Sequence, residues 1–159
     1  MKLLPRKKCF AAVFAAILFT TLATSCKKDK EEDPTMRTSV AFSGDNEVPA
    51  VSTTGMGTID ITYSPLTKII DYKVHWMLGS STATVTGMHF HGAADGTDLK
   101  SSAIVIPVTG FSTASTGDFS GTSRVITQEE EDQFLAGKWY FNIHSTTKAS
   151  GELRANIKF

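Results

Sequence analysis

The segment Lys138–Phe159, KWYFNIHSTTKASGELRANIKF, shows the clearest strand pattern in this chain. Apolar and polar residues alternate on both sides of the STTKAS loop, which is the period-two pattern of two half-buried strands joined as a hairpin. Antiparallel pairing brings the two polar rows to one side, within hydrogen-bonding reach of one another. The apolar rows are Trp139, Phe141 and Ile143, then Leu153, Ala155, Ile157 and Phe159. The polar residues expected to meet are Asn142, His144, Glu152 and Arg154.

The same period of two runs through the chain from Met36 onward, with frequent breaks at glycine, serine and threonine. Short β-rich segments at such regular spacing predict an all-β fold, an antiparallel sandwich or barrel of about eight strands. Phe42 and the apolar side chains of the hairpin are expected to line its interior. The other predicted strands are TSVAFSG, GMGTIDITYS, KIIDYKVHWML, TATVTGMHFH, SAIVIPV and GDFSGTSRVI.

One segment before the hairpin, TQEEEDQFLAG, breaks the alternation and predicts a short helix. Thr127 is its expected N-cap, Glu130 the partner in a capping box, and Gly137 the stop signal. The acidic residues fall in the first helical turn, where the helix dipole favours negative charge. This acidic run is therefore interpreted as structural rather than as a binding patch.

Two of the four histidines lie two residues apart in GMHFHGAADG, Gly87–Gly96. Strand periodicity places His89 and His91 on one face, together with Val85 and Gly87. The first interpretation is a buried polar network, because an unpaired buried polar group costs about 1–3 kcal/mol and paired groups hold the strands in register. The members of that network would be Glu47, His89, His91, Asn142, His144, Glu152 and Arg154.

The alternative is a copper or zinc site formed by His89, His91 and His144, because neutral imidazole suits both metals. An HxH pair on one strand face is also how several β-sandwich proteins hold them. The metal site of copper–zinc superoxide dismutase needs more histidines than this chain has. The fourth histidine of the chain, His75, alternates with Trp76 in a strand of its own. The sequence contains neither a strained nucleophile turn nor a phosphate-binding glycine loop. It therefore predicts no enzyme and no required cofactor.

The N-terminal residues have the layout of an export signal. A basic head, an apolar run from Cys9 to about Leu22, and small residues before Cys26 follow in the order of a lipoprotein signal. The apolar run is shorter than the ~20 residues that span a bilayer. We expect residues 1–25 to be removed and Cys26 to be lipidated. An ordinary signal peptide with an incidental cysteine is the alternative.

The chain after this signal has no further cysteine, because its two cysteines are Cys9 and Cys26. All 16 acidic residues but only 12 of the 16 basic ones follow the signal, so the mature chain carries a net charge of −4. That balance argues against a nucleic-acid surface. The charged segment up to residue 36 is expected to be a solvated tether. Its acidic half also resembles the segment that directs some lipoproteins to the outer cell face.

Three motifs in this order resemble the CHRD domain, a module first described in chordin and widespread in bacterial secreted proteins. They are FSGDNEVPAV, HFHGAADG and GKWYFNIHSTTKASGELRANI. The resemblance covers roughly Thr38–Phe159 and implies an immunoglobulin-like β-sandwich with no catalytic activity established for the class. In animals the module belongs to proteins that bind signalling ligands. Two departures are Ala155, where the family commonly has glycine, and a short loop after His91.

These observations predict three parts: residues 1–25 as signal peptide, 26–36 as lipidated cysteine and tether, and 37–159 as a CHRD domain. The expected function is a non-enzymatic binding, adhesion or structural module, held by lipid at the cell envelope and at the outer membrane. Its partners would be the membrane and an unidentified protein or small molecule, without nucleic acid. The alternative is a copper- or zinc-binding extracytoplasmic protein.

Overall fold

A computed structural model describes residues 34–92 and 100–159 of the chain. The expected signal, Cys26, most of the tether and the loop after the HxH pair lie outside the described residues. The observed elements confirm the predicted all-β fold with a short helix before the C-terminal hairpin. Its strands are β1 Met36–Phe42, β2 Met56–Ser64, β3 Ile69–Met77, β4 Val85–Gly92, β5 Ile104–Pro107, β6 Thr116–Thr122, β7 Trp139–Ser145 and β8 Leu153–Asn156. The helices are a 3-10 turn at Gly44–Asn46 and α1 at Gln128–Leu135.

The strands form two antiparallel four-stranded sheets, in the orders β1-β2-β3-β6 and β5-β4-β7-β8. The apolar sides of the two sheets share one core, which makes the β-sandwich that the sequence predicts. In the β7–β8 hairpin Asn142 lies opposite Arg154, so these members of the two polar rows share one side, as the sequence predicts. The expected core residues are at most 4% exposed: Phe42, Trp139, Phe141, Ile143, Leu153 and Ile157. Among the described helices, none is long and apolar enough to cross a membrane.

Strand β6 shows why glycine occurs inside a strand of this sandwich. A Cβ atom at Gly117 would lie 2.5 Å from the Trp76 indole, and one at Gly121 would lie 2.5 Å from the Tyr72 hydroxyl. The two glycines therefore leave room for the large rings of the neighbouring strand β3. The strand ends at Thr122, earlier than the alternation predicts.

Helix α1 begins as the sequence predicts. Thr127 accepts a hydrogen bond from the Glu130 backbone at 3.2 Å, and the Glu130 carboxylate accepts one from the Thr127 backbone at 2.8 Å. This reciprocal capping box satisfies two backbone donors that the first turn leaves free. Glu131 then anchors the helix to the sandwich, because its carboxylate accepts a 2.6 Å hydrogen bond from Tyr63 and forms a 2.9 Å ion pair with Lys68.

Strand β4 departs from simple alternation at its start. Its register with β7 shifts between Val85 and Gly87, and such a bulge changes the side on which the preceding residues point. Val85 is 2% exposed and belongs to the hydrophobic core. The expectation that Val85 shares the face of His89 and His91 is therefore wrong, and the polar face of β4 begins at Gly87.

Candidate metal centre

The three histidines of the candidate metal site come from two adjacent strands. The register of β4 with β7 sets Gly87 opposite His144 and His89 opposite Asn142. His89 and His144 are therefore diagonal neighbours, and their ring centroids lie 5.1 Å apart. Glycine is needed beside them, since a Cβ atom at Gly87 would lie 2.8 Å from Cε1 of His89. The space that a side chain would fill at Gly87 holds the His89 ring instead.

Two ring nitrogens of this group are buried and have no hydrogen-bond partner among the described residues. Nδ1 of His144 donates to the backbone carbonyl of Ala149 at 2.9 Å. The neutral ring therefore carries its lone pair on Nε2, which is one of the two unpartnered atoms. The other is Nδ1 of His89. A carbonyl that fixes the tautomer of a histidine is the outer-shell arrangement found at metal centres.

His91, the third member, makes contacts at both ring nitrogens. Nδ1 lies 2.9 Å from the Ser102 carbonyl, and Nε2 lies 3.0 Å from the side-chain oxygen of Asn142. Both neighbours are acceptors, whereas a neutral ring has one N–H to donate. The neutral ring can therefore donate to only one of these two oxygens at a time. The ring also stacks on Tyr140, with 4.6 Å between centroids and a 3° angle between planes.

The ligand atoms of the three histidines all lie within 4.8 Å of one another. A tetrahedral ion with bonds of about 2.0–2.1 Å needs nitrogens ~3.3 Å apart, so the rings would turn inward on binding. Burial, reinforced by the His144 and His91 charges, lowers the pKa of His89 to about 4. Burial also lowers the pKa of His91, despite its hydrogen bonds to Ser102 and Asn142. Both rings are therefore neutral at neutral pH, which is the form that binds metal.

A buried carboxyl lies behind the cluster. Glu47 is 6% exposed, and its Oε1 has no partner among the described residues. Burial raises its pKa to about 7, although the Arg154 charge and a hydrogen bond with Asn142 act in the opposite direction. The carboxyl packs on Gly151, where a Cβ atom would lie 2.5 Å from Oε1. Asn142 thus links the Glu47 carboxyl to the His91 ring.

Arg154 is the cation of this network. Burial lowers the pKa of His91, and the Arg154 charge contributes to the same shift. It is 1% exposed, and its guanidinium lies 3.5 Å from the centroid of the Tyr140 ring. Its Nε donates to Asn156 at 2.8 Å. The aromatic face attracts this charge, and so does the Glu47 carboxyl group when it is ionised. The ring of Tyr140 therefore contacts both Arg154 and His91.

Glu152 does not join the histidines, so the network expected from the sequence divides into two. Its carboxylate accepts hydrogen bonds from the Ser145 hydroxyl, from Thr53 at 2.8 Å and from the Gly79 backbone at 2.7 Å. Burial opposes its charge, but these donors together hold its pKa below the ordinary value. Glu152 therefore connects the β7–β8 turn to two loops. The prediction failed because the strand pattern indicates the face of a side chain but not the direction in which a side chain at the strand end points.

Two loops cover the polar face of the hairpin, and alternation alone does not predict this. The segment after β1 pairs its backbone with β8 through Ser43 and Arg154. The segment before β5 reaches the same face, because the Ser102 backbone donates to Tyr140 at 3.0 Å and Ser101 donates to the Val48 carbonyl at 3.0 Å. As a result Asn142 is only 4% exposed. The hydrogen bonds from His91 and His144 to the backbone carbonyls of Ser102 and Ala149 cannot be predicted from the sequence, because every residue has a backbone carbonyl.

The fourth histidine lies apart from the cluster, as the sequence predicts. His75 is on β3 in the other sheet, paired with Thr58 of β2 and Asp118 of β6. Its Nδ1 lies 2.8 Å from the Asp118 carboxylate on the exposed face.

Comparison with protein families gives one match, to the model described as CHRD domain, over residues 38–157. Comparisons with curated proteins and with solved structures give no match. The matched range contains every histidine, both carboxyls and the arginine described above.

Proposed function

The chain belongs to the CHRD domain family, and we propose from the geometry of its histidines that this domain is a binding module for a divalent zinc or copper ion. The ligands are His89, His91 and His144. We propose no catalytic role, so the ion is a bound ligand that joins β4 to β7. The described residues contain no thiol, so imidazole is their best donor for such metals.

The observation that carries the proposal is the pair of buried, unpartnered nitrogens, His89 Nδ1 and His144 Nε2, beside His91. A buried polar atom without a partner costs about 1–3 kcal/mol. A water molecule cannot donate a hydrogen bond to all three ring nitrogens at once, whereas one cation accepts the lone pairs of all three rings. The Ser102 and Ala149 carbonyls already hold two of the rings in one tautomer, which reduces the ordering that binding requires.

The test is the thermal midpoint of metal-stripped protein during titration with zinc. Binding to the folded state should raise stability by about 2.7 kcal/mol when free zinc exceeds the dissociation constant 100-fold. His89→Ala and His144→Ala should abolish this response. His75→Ala is the matched control, because it removes an exposed histidine from the other sheet. With copper(II), electron paramagnetic resonance should report nitrogen couplings that disappear in the same two variants.

A second candidate is a purely structural role for the polar cluster within a binding or adhesion module. The contacts of His91 favour it, because Ser102 and Asn142 already occupy both of its nitrogens. In that case zinc leaves the midpoint unchanged, while His91→Ala still destabilises the protein. The unidentified ligand would then be a protein or small molecule that contacts another surface.

We also propose that Cys26 is lipidated and holds the domain at the extracytoplasmic side of the cell envelope. The order of basic, apolar and small residues before Cys26 supports this. The Cys26→Ser variant should leave the membrane fraction. If Cys26→Ser stays membrane-bound, the anchor is not this cysteine.

A further inference from the structure

Two methionines lie side by side on the solvent face of the sheet that does not carry the histidine cluster. Met56 of β2 and Met77 of β3 are directly opposite in register, and the Cβ atoms of such a pair are about 4.5–5.5 Å apart. Met56 is 57% exposed and Met77 40% exposed. Side chains with that exposure contribute little to the core and are accessible to a ligand.

A histidine accompanies the pair. His75 precedes Met77 by two residues on β3, and therefore lies on the same face about 7 Å away along the strand. Its Nδ1 lies 2.8 Å from the Asp118 carboxylate of β6. With Nδ1 as the donor in this pair, the neutral ring carries its lone pair on Nε2. A carboxylate that orients a histidine in this way is the usual second partner of a metal-bound imidazole.

We propose that Met56, Met77 and His75 form a binding site for the monovalent copper ion. Thioethers are soft ligands that select copper(I) over zinc, and imidazole completes a mixed set of two sulfurs and one nitrogen. Both cysteines of the chain precede the described residues, at positions 9 and 26. The thioethers are therefore the softest donors within this part of the chain. The long, unbranched methionine side chains can converge from neighbouring strands without moving the backbone.

This site is independent of the three-histidine cluster, since it lies on a different sheet and shares no residue with it. The two sites also differ in the ion that they select. Three imidazoles suit a divalent ion, whereas the methionine pair suits copper(I). The failure of one proposal therefore leaves the other to be judged on its own test.

The experiment is an anaerobic copper(I) titration of the purified protein against a chromogenic copper(I) chelator. Met56→Leu and Met77→Leu should each lower the affinity at least ~10-fold, since loss of even an outer-shell partner costs about 10- to 100-fold. Leucine preserves volume, and both positions are exposed, so the variants should fold. Met36→Leu, at a half-buried methionine outside the site, is the matched control.

A second measurement localises the ion. Silver(I), a redox-inert substitute, should shift the methyl resonances of Met56 and Met77 in protein labelled at methionine methyl groups. The resonances of Met36 and the buried Met88 should stay in place. Unchanged affinity in both leucine variants, or silver-induced shifts that spare Met56 and Met77, would overturn the proposal.

Discussion

Replacing Glu47 with glutamine tests the buried carboxyl behind the histidine cluster. Burial raises its pKa from the ordinary 4.5 to about 7, so the folded protein holds this proton more tightly than the unfolded chain does. Its contribution to stability is therefore complete below about pH 4.5 and is lost as the pH rises through 7. Glutamine cannot titrate, so the variant lacks this part of the pH dependence.

The size of the effect follows from the displacement of the pKa. A change from 4.5 to about 7 corresponds to on the order of 3 kcal/mol, since each unit is worth about 1.4 kcal/mol. His89 and His91 act in the opposite direction, because their lowered pKa values make the folded state more stable as the pH rises from acid. The difference between wild type and Glu47→Gln isolates the carboxyl from these histidines.

The measurement is urea-induced unfolding of both proteins at a series of pH values between about 4.5 and 8. The free energy of unfolding of wild type, relative to Glu47→Gln, should fall by about 3 kcal/mol across this range. Glu129→Gln, at an exposed helix position, serves as a control and should show no comparable trend. Parallel profiles for wild type and Glu47→Gln would show that the carboxyl is ionised in the folded protein throughout, and the argument from burial would fail.

Two further substitutions test the core and the room left for the histidines. Phe141→Ala should lower the free energy of unfolding by about 3–5 kcal/mol in a urea titration, because the ring is fully buried and packs edge-on against Phe90 at 4.7 Å. Phe159→Ala, whose ring is 43% exposed, should cost much less, and equal costs would contradict the assigned faces. Gly87→Ala should weaken zinc binding in a competition titration while the circular dichroism spectrum stays unchanged, because the new Cβ would displace the His89 ring. An unchanged zinc affinity would show that this ring position is not the binding position.

The hairpin could be predicted from the sequence because local physics determines it. Side chains of a strand alternate between two faces, so the order of Trp139, Phe141 and Ile143 already assigns the buried side. The turn then sets Asn142 opposite Arg154. The capping box of α1 is predictable for the same reason, since Thr127 and Glu130 are three residues apart and meet within one turn. Both features need only neighbours along the chain.

The remainder of the candidate site depends on segments that are distant in sequence. Alternation places Arg154 on the polar side of the hairpin, and it is only 1% exposed because two loops close over that side. No periodicity indicates where those loops lie. Glu152 belongs to the same polar row but turns to Thr53 and Gly79, since donors from other loops compete for it. A bulge, likewise a property of the strand pair, moves Val85 into the core.

The burial of the polar face of the hairpin also determines the charge state of the histidine rings. In water an HxH pair and a third histidine would each be solvated, and nothing would favour their convergence. Under the loops, desolvation keeps the rings of His89 and His91 neutral. Asn142 and a metal ion would compete for Nε2 of His91, because the side-chain oxygen of Asn142 already lies 3.0 Å from it. A metal ion would have to displace that contact, and the energy for doing so would come from satisfying the unpartnered nitrogens of His89 and His144. The proposed site therefore requires that three coordination bonds outweigh the loss of this one hydrogen bond, and the zinc titration measures that balance.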